Sequence, residues 1–248
     1  MPKLNDYSMT ARSLKILGIS LLTLIGIISA IFLYFFVYYT WQLRYGTPEK
    51  QATITKSLEG SFTKAGNTDA PSFRPDYQSF IRKENPTQGN ATAPVTIVMF
   101  IDFECPFCQA GYPVFNQVMD TFGDSIRVVF KEFPLTTIHP SARGAAEASM
   151  CAAEQQGFWK FYTNAFTTKK LDESSLYTYA NASSIDMALF DRCFKEKKYS
   201  KAIDQDLSDG VALGVRGTPT YIVNGTFVEG VATFDEWKKI ILDILNHT

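Results

Sequence analysis

The stretch Val95-Thr-Ile-Val-Met-Phe-Ile101, followed closely by Cys105-Pro106-Phe107-Cys108, constrains this chain more than any other. Its apolar and β-branched run reads as a buried strand. Two cysteines separated by two residues then stand at the start of what reads as a helix. A helix N-terminus offers unpaired N–H groups and a partial positive charge. A thiolate at Cys105 is therefore expected to be stabilised and its pKa lowered. Cys108 follows one turn later, close enough to close a small disulfide ring. Strand, dithiol and helix together predict a redox site.

The remaining cysteines, Cys151 and Cys193, are 42 positions apart. A zinc site usually shows a second close pair, so neither metal nor cofactor is expected. The close pair makes Cys105–Cys108 with Cys151–Cys193 the expected pairing. Both members of the second pair fall on predicted helices, which reads as a structural staple in preference to a second redox relay. A formal net charge of −1 gives no sign of a nucleic-acid partner. An aromatic content of 14% calls for a real core.

Four segments are expected. Residues 1–15 form a short cytoplasmic N-terminus. Residues 16–39 form a transmembrane anchor: no charge falls between Lys15 and Arg44, and the 24 residues span ~36 Å as a helix at about 1.5 Å each. Tyr34, Tyr38, Tyr39 and Trp41 gather at its C-terminal end like an interfacial aromatic belt. The apolar run is longer than a signal-peptide core, so it is read as uncleaved. Lys3, Arg12 and Lys15 precede it and only Arg44 follows closely, a modest bias toward a cytoplasmic N-terminus. Residues 40–75 form a linker, with one short helix around Pro48–Leu58. Residues 76–248 form the folded domain.

Within that domain an edge strand is expected near Tyr77–Ile81, then a turn-rich lead from Pro86 to Pro94. After the cysteines, Val114, Phe115, Val118, Met119 and Phe122 recur at helical spacing, and Ile126–Glu132 reads as the next strand. This is a βαβ unit. A helical insertion follows from about residue 139 to 213, with helices expected over Leu171–Ala180 and Ile185–Tyr199. Thr220–Val223 and Thr226–Val228 flank Asn224-Gly225, a tight hairpin signal. Thr233-Phe-Asp-Glu236 is a capping box opening a last helix.

This order, with Gly217-Thr218-Pro219 before the hairpin, resembles the thioredoxin fold. Phe103-Glu-Cys105-Pro106-Phe107-Cys108, Phe133-Pro134-Leu135, His139-Pro140 and Phe158-Trp159 are similar to the DsbA-like thiol:disulfide oxidoreductases, which carry a helical insertion here. The resemblance runs from about Pro86 to Asn246. It implies an α/β thioredoxin fold with that insertion, preceded here by the N-terminal anchor. It makes Cys105 the exposed nucleophile and Cys108 the buried resolving thiol, supported by Pro106, Phe107, Thr218 and Pro219. Pro219 is the expected cis-proline and Thr218 the contact to substrate backbone.

On this basis the expected activity is a membrane-anchored, extracytoplasmic dithiol oxidase acting on the cysteine thiols of exported proteins. A DsbB-like or vitamin-K-epoxide-reductase-like membrane partner would re-oxidise it. A reductase or isomerase of the same compartment, or a non-enzymatic peptide-binding chaperone on the same fold, are the alternatives. Two departures bear on the direction. Phe107 stands where the best-known oxidant of the family has histidine, and Met99 where many thioredoxin-fold enzymes have a buried acid. Asp102, Glu104 and Glu132 are candidate proton acceptors for Cys108, though strand-end carboxylates are more often exposed. His139 is one of two histidines and a site role is the alternative, but beside Pro140 at a helix start it reads as a local cap or surface residue.

Overall fold

The computed structural model describes residues 26–35, 37, 38 and 76–247. Residues 26–35, 37 and 38 are helical, with Ile27, Phe32 and Leu33 exposed. Among the described residues no helix is long and apolar enough to cross a membrane. The rest of the expected 16–39 anchor, the N-terminus, the 40–75 linker and the short helix near 48–58 lie outside the described residues.

The folded domain is built on a five-stranded sheet of order β1-β3-β2-β4-β5. β2 (Val95–Ile101) sits at its centre. β3 (Ile126–Glu132) runs parallel to it in register from Val95↔Ile126 to Ile101↔Glu132. β4 (Thr220–Val223) runs antiparallel on its other side. β5 (Thr226–Glu229) and β1 (Thr87–Gly89) are the antiparallel edges. A strand paired on both sides and covered on both faces is largely apolar, and this is why Val95–Ile101, with Thr96 as its one polar residue, shows no alternation.

α1 (Pro106–Phe122) crosses from β2 to β3 and packs beside the C-terminal α7 (Phe234–Leu245). Ile97, Met99, Ile101, Val128 and Phe130 join the core on this face. The other face, with Val98, Phe100, Val129 and Ile222, is closed by Phe133, Leu213, Val215 and the Tyr77–Ile81 segment. Between β3 and β4 lie α2 (Ala142–Ala153), α3 (Phe158–Thr168), α4 (Glu173–Ala182), α5 (Met187–Lys195) and α6 (Ser200–Leu213). Aromatic rings attach this block to the sheet. Phe103 and Phe166 have centroids 5.3 Å apart, and Phe130 and Phe158 4.8 Å. A disulfide joins Cys151 on α2 to Cys193 on α5, with Cα atoms 5.8 Å apart. α6 comes so close to the sheet that a Cβ at Gly210 would lie 2.5 Å from the Phe133 ring.

Three expectations change. Tyr77–Phe80 is a 3₁₀ turn, not an edge strand: the Asp76 carboxylate accepts the Gln78 N–H at 3.0 Å and winds the chain. The edge strand is Thr87–Gly89, inside the stretch read as a turn. Its side chains are all exposed, so it has no apolar period to betray it. The helix expected over Ile185–Tyr199 ends at Lys195, and the chain turns at Lys197 with φ of 49° before α6 begins. The hairpin turn, by contrast, has the two positive φ values of a type I′ turn, 45° at Asn224 and 88° at Gly225. The Thr233/Glu236 capping box is also present.

A buried ionic cluster ties α6 and the Tyr77–Asn85 segment to β3. The Lys131 ammonium, fully buried, meets Asp206 at 2.8 Å, Asp209 at 2.7 Å and the Phe80 carbonyl at 2.7 Å. Arg82 pairs with Asp209, and Asn85 donates to Asp206 at 3.1 Å. An ammonium in a dry interior needs this full set of acceptors.

Candidate active site

The site lies where β2 ends and α1 begins. Cys105 is the N-cap of α1 with Pro106 in the first turn, where a missing N–H costs nothing. The Cys105 N–H donates to the Asp102 carbonyl at 3.2 Å, and the Cys105 carbonyl accepts from Gln109 at 3.0 Å. These bonds hold the sulfur at the mouth of the helix.

Both thiols are free, and they differ sharply. The Cys105 pKa is lowered to about 6. The Cys108 thiol is the chief cause, helped by Thr218 and by the Cys108 and Phe107 backbone N–H groups, all against the opposing effect of burial. Cys108 is pushed well above the ordinary thiol range, first by its burial and then by Cys105. One sulfur is thus prepared to be a thiolate and the other a protonated thiol.

Cys105 is not the exposed residue expected from its role. Only 4% of it is accessible, although Pro106 and Phe107 beside it are exposed. The reason is the segment before β4. The Thr218–Pro219 peptide bond is cis, and the Thr218 carbonyl lies 3.2 Å from the Cys105 sulfur. Thr218 and Cys105 are 113 residues apart in sequence, so the fold alone brings them together. The Pro219 carbonyl is used by the Gly230 N–H at 2.8 Å. The Thr218 hydroxyl is buried with no hydrogen-bond partner among the described residues. Phe107 is 52% exposed, an apolar ring beside the buried sulfur.

The carboxylates also depart from expectation. Asp102 is buried, because all of its carboxylate is put to use. One oxygen accepts the Glu104 N–H at 2.8 Å; the other accepts the Leu135 N–H at 2.8 Å and faces His139 Nδ1 at 2.8 Å. Glu132 is buried too, and its burial pushes its pKa well above the carboxylate range. It accepts a hydrogen bond from the Ser149 hydroxyl on α2, and its second oxygen has no partner among the described residues. Glu104 is half-buried and accepts the Ser141 N–H at 2.6 Å. Met99 is fully buried in the core beneath α1 and carries no proton. Cys151 and Cys193 lie in the insertion and form their own disulfide.

His139 is the residue that residue-by-residue reading underrated by preferring a cap or surface role to a site role. It is neither a helix cap nor free on the surface. Its ring is mostly covered and bonded to Asp102, 37 positions away, and the charge at Cys105 acts on it. The motifs Phe133-Pro134-Leu135 and His139-Pro140 were the available signal. Both flank the loop that Asp102 anchors.

A family model described as thioredoxin matches residues 82–243. Among curated proteins, residues of this chain are 38% identical over 141 residues to the Na(+)/H(+) antiporter NhaA 1 of Mycolicibacterium gilvum, covering 56% of this chain and 23% of that protein. They are 35% identical over 139 residues to the antiporter NhaA 3 of Salinispora tropica, covering 56% and 21%. The chain thus spans less than a quarter of the length of these relatives. Among solved structures, BdbD from Bacillus subtilis is 23% identical with a TM-score of 0.60, covering 72% of this chain and 100% of that one. The thiol-disulfide exchange protein alpha-DsbA2 from Wolbachia pipientis is 21% identical with a TM-score of 0.60, covering 79% and 98%. A thioredoxin-like oxidoreductase from Silicibacter pomeroyi is 22% identical with a TM-score of 0.60, covering 68% and 96%. These likenesses establish the fold.

Proposed function

The chain belongs to the thioredoxin family, and from that premise we propose that it is a thiol:disulfide oxidoreductase working chiefly as a dithiol oxidase. The observation that carries this reading is the unequal dithiol, one thiol lowered to about 6 and its neighbour raised, set against the cis Thr218–Pro219 segment.

In the oxidised pair, a substrate thiolate attacks the Cys105 sulfur. The Cys105–Cys108 bond breaks, a mixed disulfide forms, and Cys108 leaves and takes up a proton, as its raised pKa favours. A second substrate thiolate then attacks the substrate sulfur of the mixed disulfide. Cys105 departs as a thiolate, a good leaving group with its pKa near 6. The substrate loses two electrons and gains a disulfide, and the pair ends reduced. Thr218, whose carbonyl already faces the sulfur, is placed to meet a substrate backbone, and exposed Phe107 to meet an apolar side chain.

The 16–39 stretch is proposed as a single-pass membrane anchor with its N-terminus cytoplasmic, holding the domain outside the cytoplasm. The uncharged run and the Cys151–Cys193 disulfide, which needs an oxidising compartment, support this. Substrates would be exported proteins with cysteine thiols. A DsbB-like or vitamin-K-epoxide-reductase-like membrane protein would accept the electrons. One residue favours the reverse, reductase or isomerase, direction: Phe107 supplies no positive charge between the cysteines.

Equilibrating the protein with glutathione buffers separates the directions. A potential well above the about −270 mV of thioredoxin supports oxidation. A value at or below it overturns that direction.

A further inference from the structure

The turn Asp102–Cys105 is fastened to the segment Leu135–Ser141 by three bonds. The Asp102 carboxylate accepts the Leu135 N–H at 2.8 Å and meets His139 Nδ1 at 2.8 Å, and Glu104 accepts the Ser141 N–H at 2.6 Å. The same Asp102 holds the Cys105 N–H through its backbone carbonyl at 3.2 Å. His139 is therefore locked to the residue that sets the Cys105 backbone. Its ring is largely but not wholly covered, with 13% of the side chain exposed.

We propose that His139, oriented by Asp102, is a positioning residue that supplies positive charge to the Cys105 thiolate, the service an imidazole between the cysteines would give and Phe107 does not. It rests on the reading of Cys105 as nucleophile. The ionisable groups acting on His139 are Asp102, Glu104 and Cys105; on Cys105 the chief one is Cys108, with Thr218 as a polar neighbour. Burial works against the imidazolium, yet the Asp102 carboxylate, with the charges at Cys105 and Glu104, outweighs it. The His139 pKa stands above its ordinary value. With Cys105 lowered to about 6 and His139 raised, the range in which imidazolium and thiolate coexist widens from both sides. Asp102 keeps Nδ1 protonated in either state, so the charge comes and goes at Nε2.

Coupling between two titrating groups is reciprocal. The chain has two histidines, His139 and His247, and the second, just past the C-terminal end of α7, serves as the reference signal. NMR titration of the wild-type imidazoles, reduced and oxidised, reads the coupling with no substitution. Oxidation removes the Cys105 charge, so the His139 midpoint is expected to fall by about half a unit or more. The reverse arm uses His139→Asn, which keeps a donor to Asp102 but has no charge. The thiolate absorbance midpoint of Cys105 is expected to rise by the same amount, about a twofold loss of thiolate at pH 6. A His139 midpoint that is identical in both redox states overturns the proposal, whatever the variant does. Dithiol oxidation of a substrate peptide is followed in parallel. Coupling without exchange would sink the proposed enzyme and leave this inference standing; exchange without coupling would do the opposite.

Discussion

Reduced protein taken from pH 8 to pH 5 passes through the titration of Cys105, and both reactivity and stability should follow it. With a pKa near 6, roughly 90% of Cys105 is thiolate at pH 7. An ordinary thiol near 8.5 would be about 3% ionised there. Alkylation of Cys105 by iodoacetamide should therefore be flat above about pH 7, half-maximal near pH 6 and roughly tenfold down at pH 5. The stability effect has a definite sign. A thiol whose folded pKa is depressed stabilises the reduced fold fully above the unfolded pKa, and loses that stability as pH falls through the folded pKa. For Cys105 alone the gain at pH 7 is at most about 1.4 kcal/mol; above the unfolded pKa of about 8.5 the raised Cys108 pKa acts with the opposite sign and offsets any further rise. Since the oxidised form has no thiolate to stabilise, the pH 7 figure corresponds to at most about 30 mV toward a more oxidising pair. Paired urea unfolding of reduced and oxidised protein across this range, with thiolate absorbance on the same samples, measures all three quantities. An alkylation rate that still climbs tenfold per pH unit between pH 7 and 8 would refute the reasoning. So would a difference in stability between reduced and oxidised protein that ignores pH from 5 to 8.

Other outcomes follow from groups away from the sulfurs. Lys131→Met leaves Asp206 and Asp209 without their buried cation and should cost about 3–5 kcal/mol in denaturant unfolding; no loss would mean the cluster is not buried as described. Glu132→Gln removes a carboxyl whose pKa is raised by burial. Its stabilising effect should be present at pH 7 and vanish below the unfolded carboxylate pKa of about 4.3, and an effect of equal size at pH 3.5 would contradict this. Replacing both Cys151 and Cys193 by Ala opens a 42-residue separation and should cost up to about 4 kcal/mol, leaving Cys105 alkylation unchanged.

What was readable in the sequence was what local pattern can carry. Val95–Ile101 had to be a central strand because its residues are apolar on both faces, and Asn224-Gly225 had to turn because both positions take positive φ. Cys105 announced itself by standing between that strand and a helical period. Thr218-Pro219 was legible only through family likeness, since its partner lies 113 residues away. Asp102, His139 and Glu132 were misjudged for the same reason. Each is polar in a stretch where polarity normally marks exposure, and each is covered through a partner from another element: Leu135 and His139 for Asp102, Asp102 for His139, Ser149 for Glu132. Lys131, read simply as part of a strand, is paired with residues 75 and 78 positions on. Spacing along the chain says nothing about such pairs. Nor does it reveal Thr87–Gly89, an exposed edge held by backbone bonds alone.

The most direct test of thiol–disulfide exchange through Cys105 is mixed-disulfide trapping with Cys108→Ala in cells. The resolving thiol, now free and buried, would be absent. Adducts with exported proteins should accumulate on Cys105, run as high-mass species without reductant and disappear with it. No adducts, or the same adducts when Cys105→Ala is added, would contradict exchange at this site.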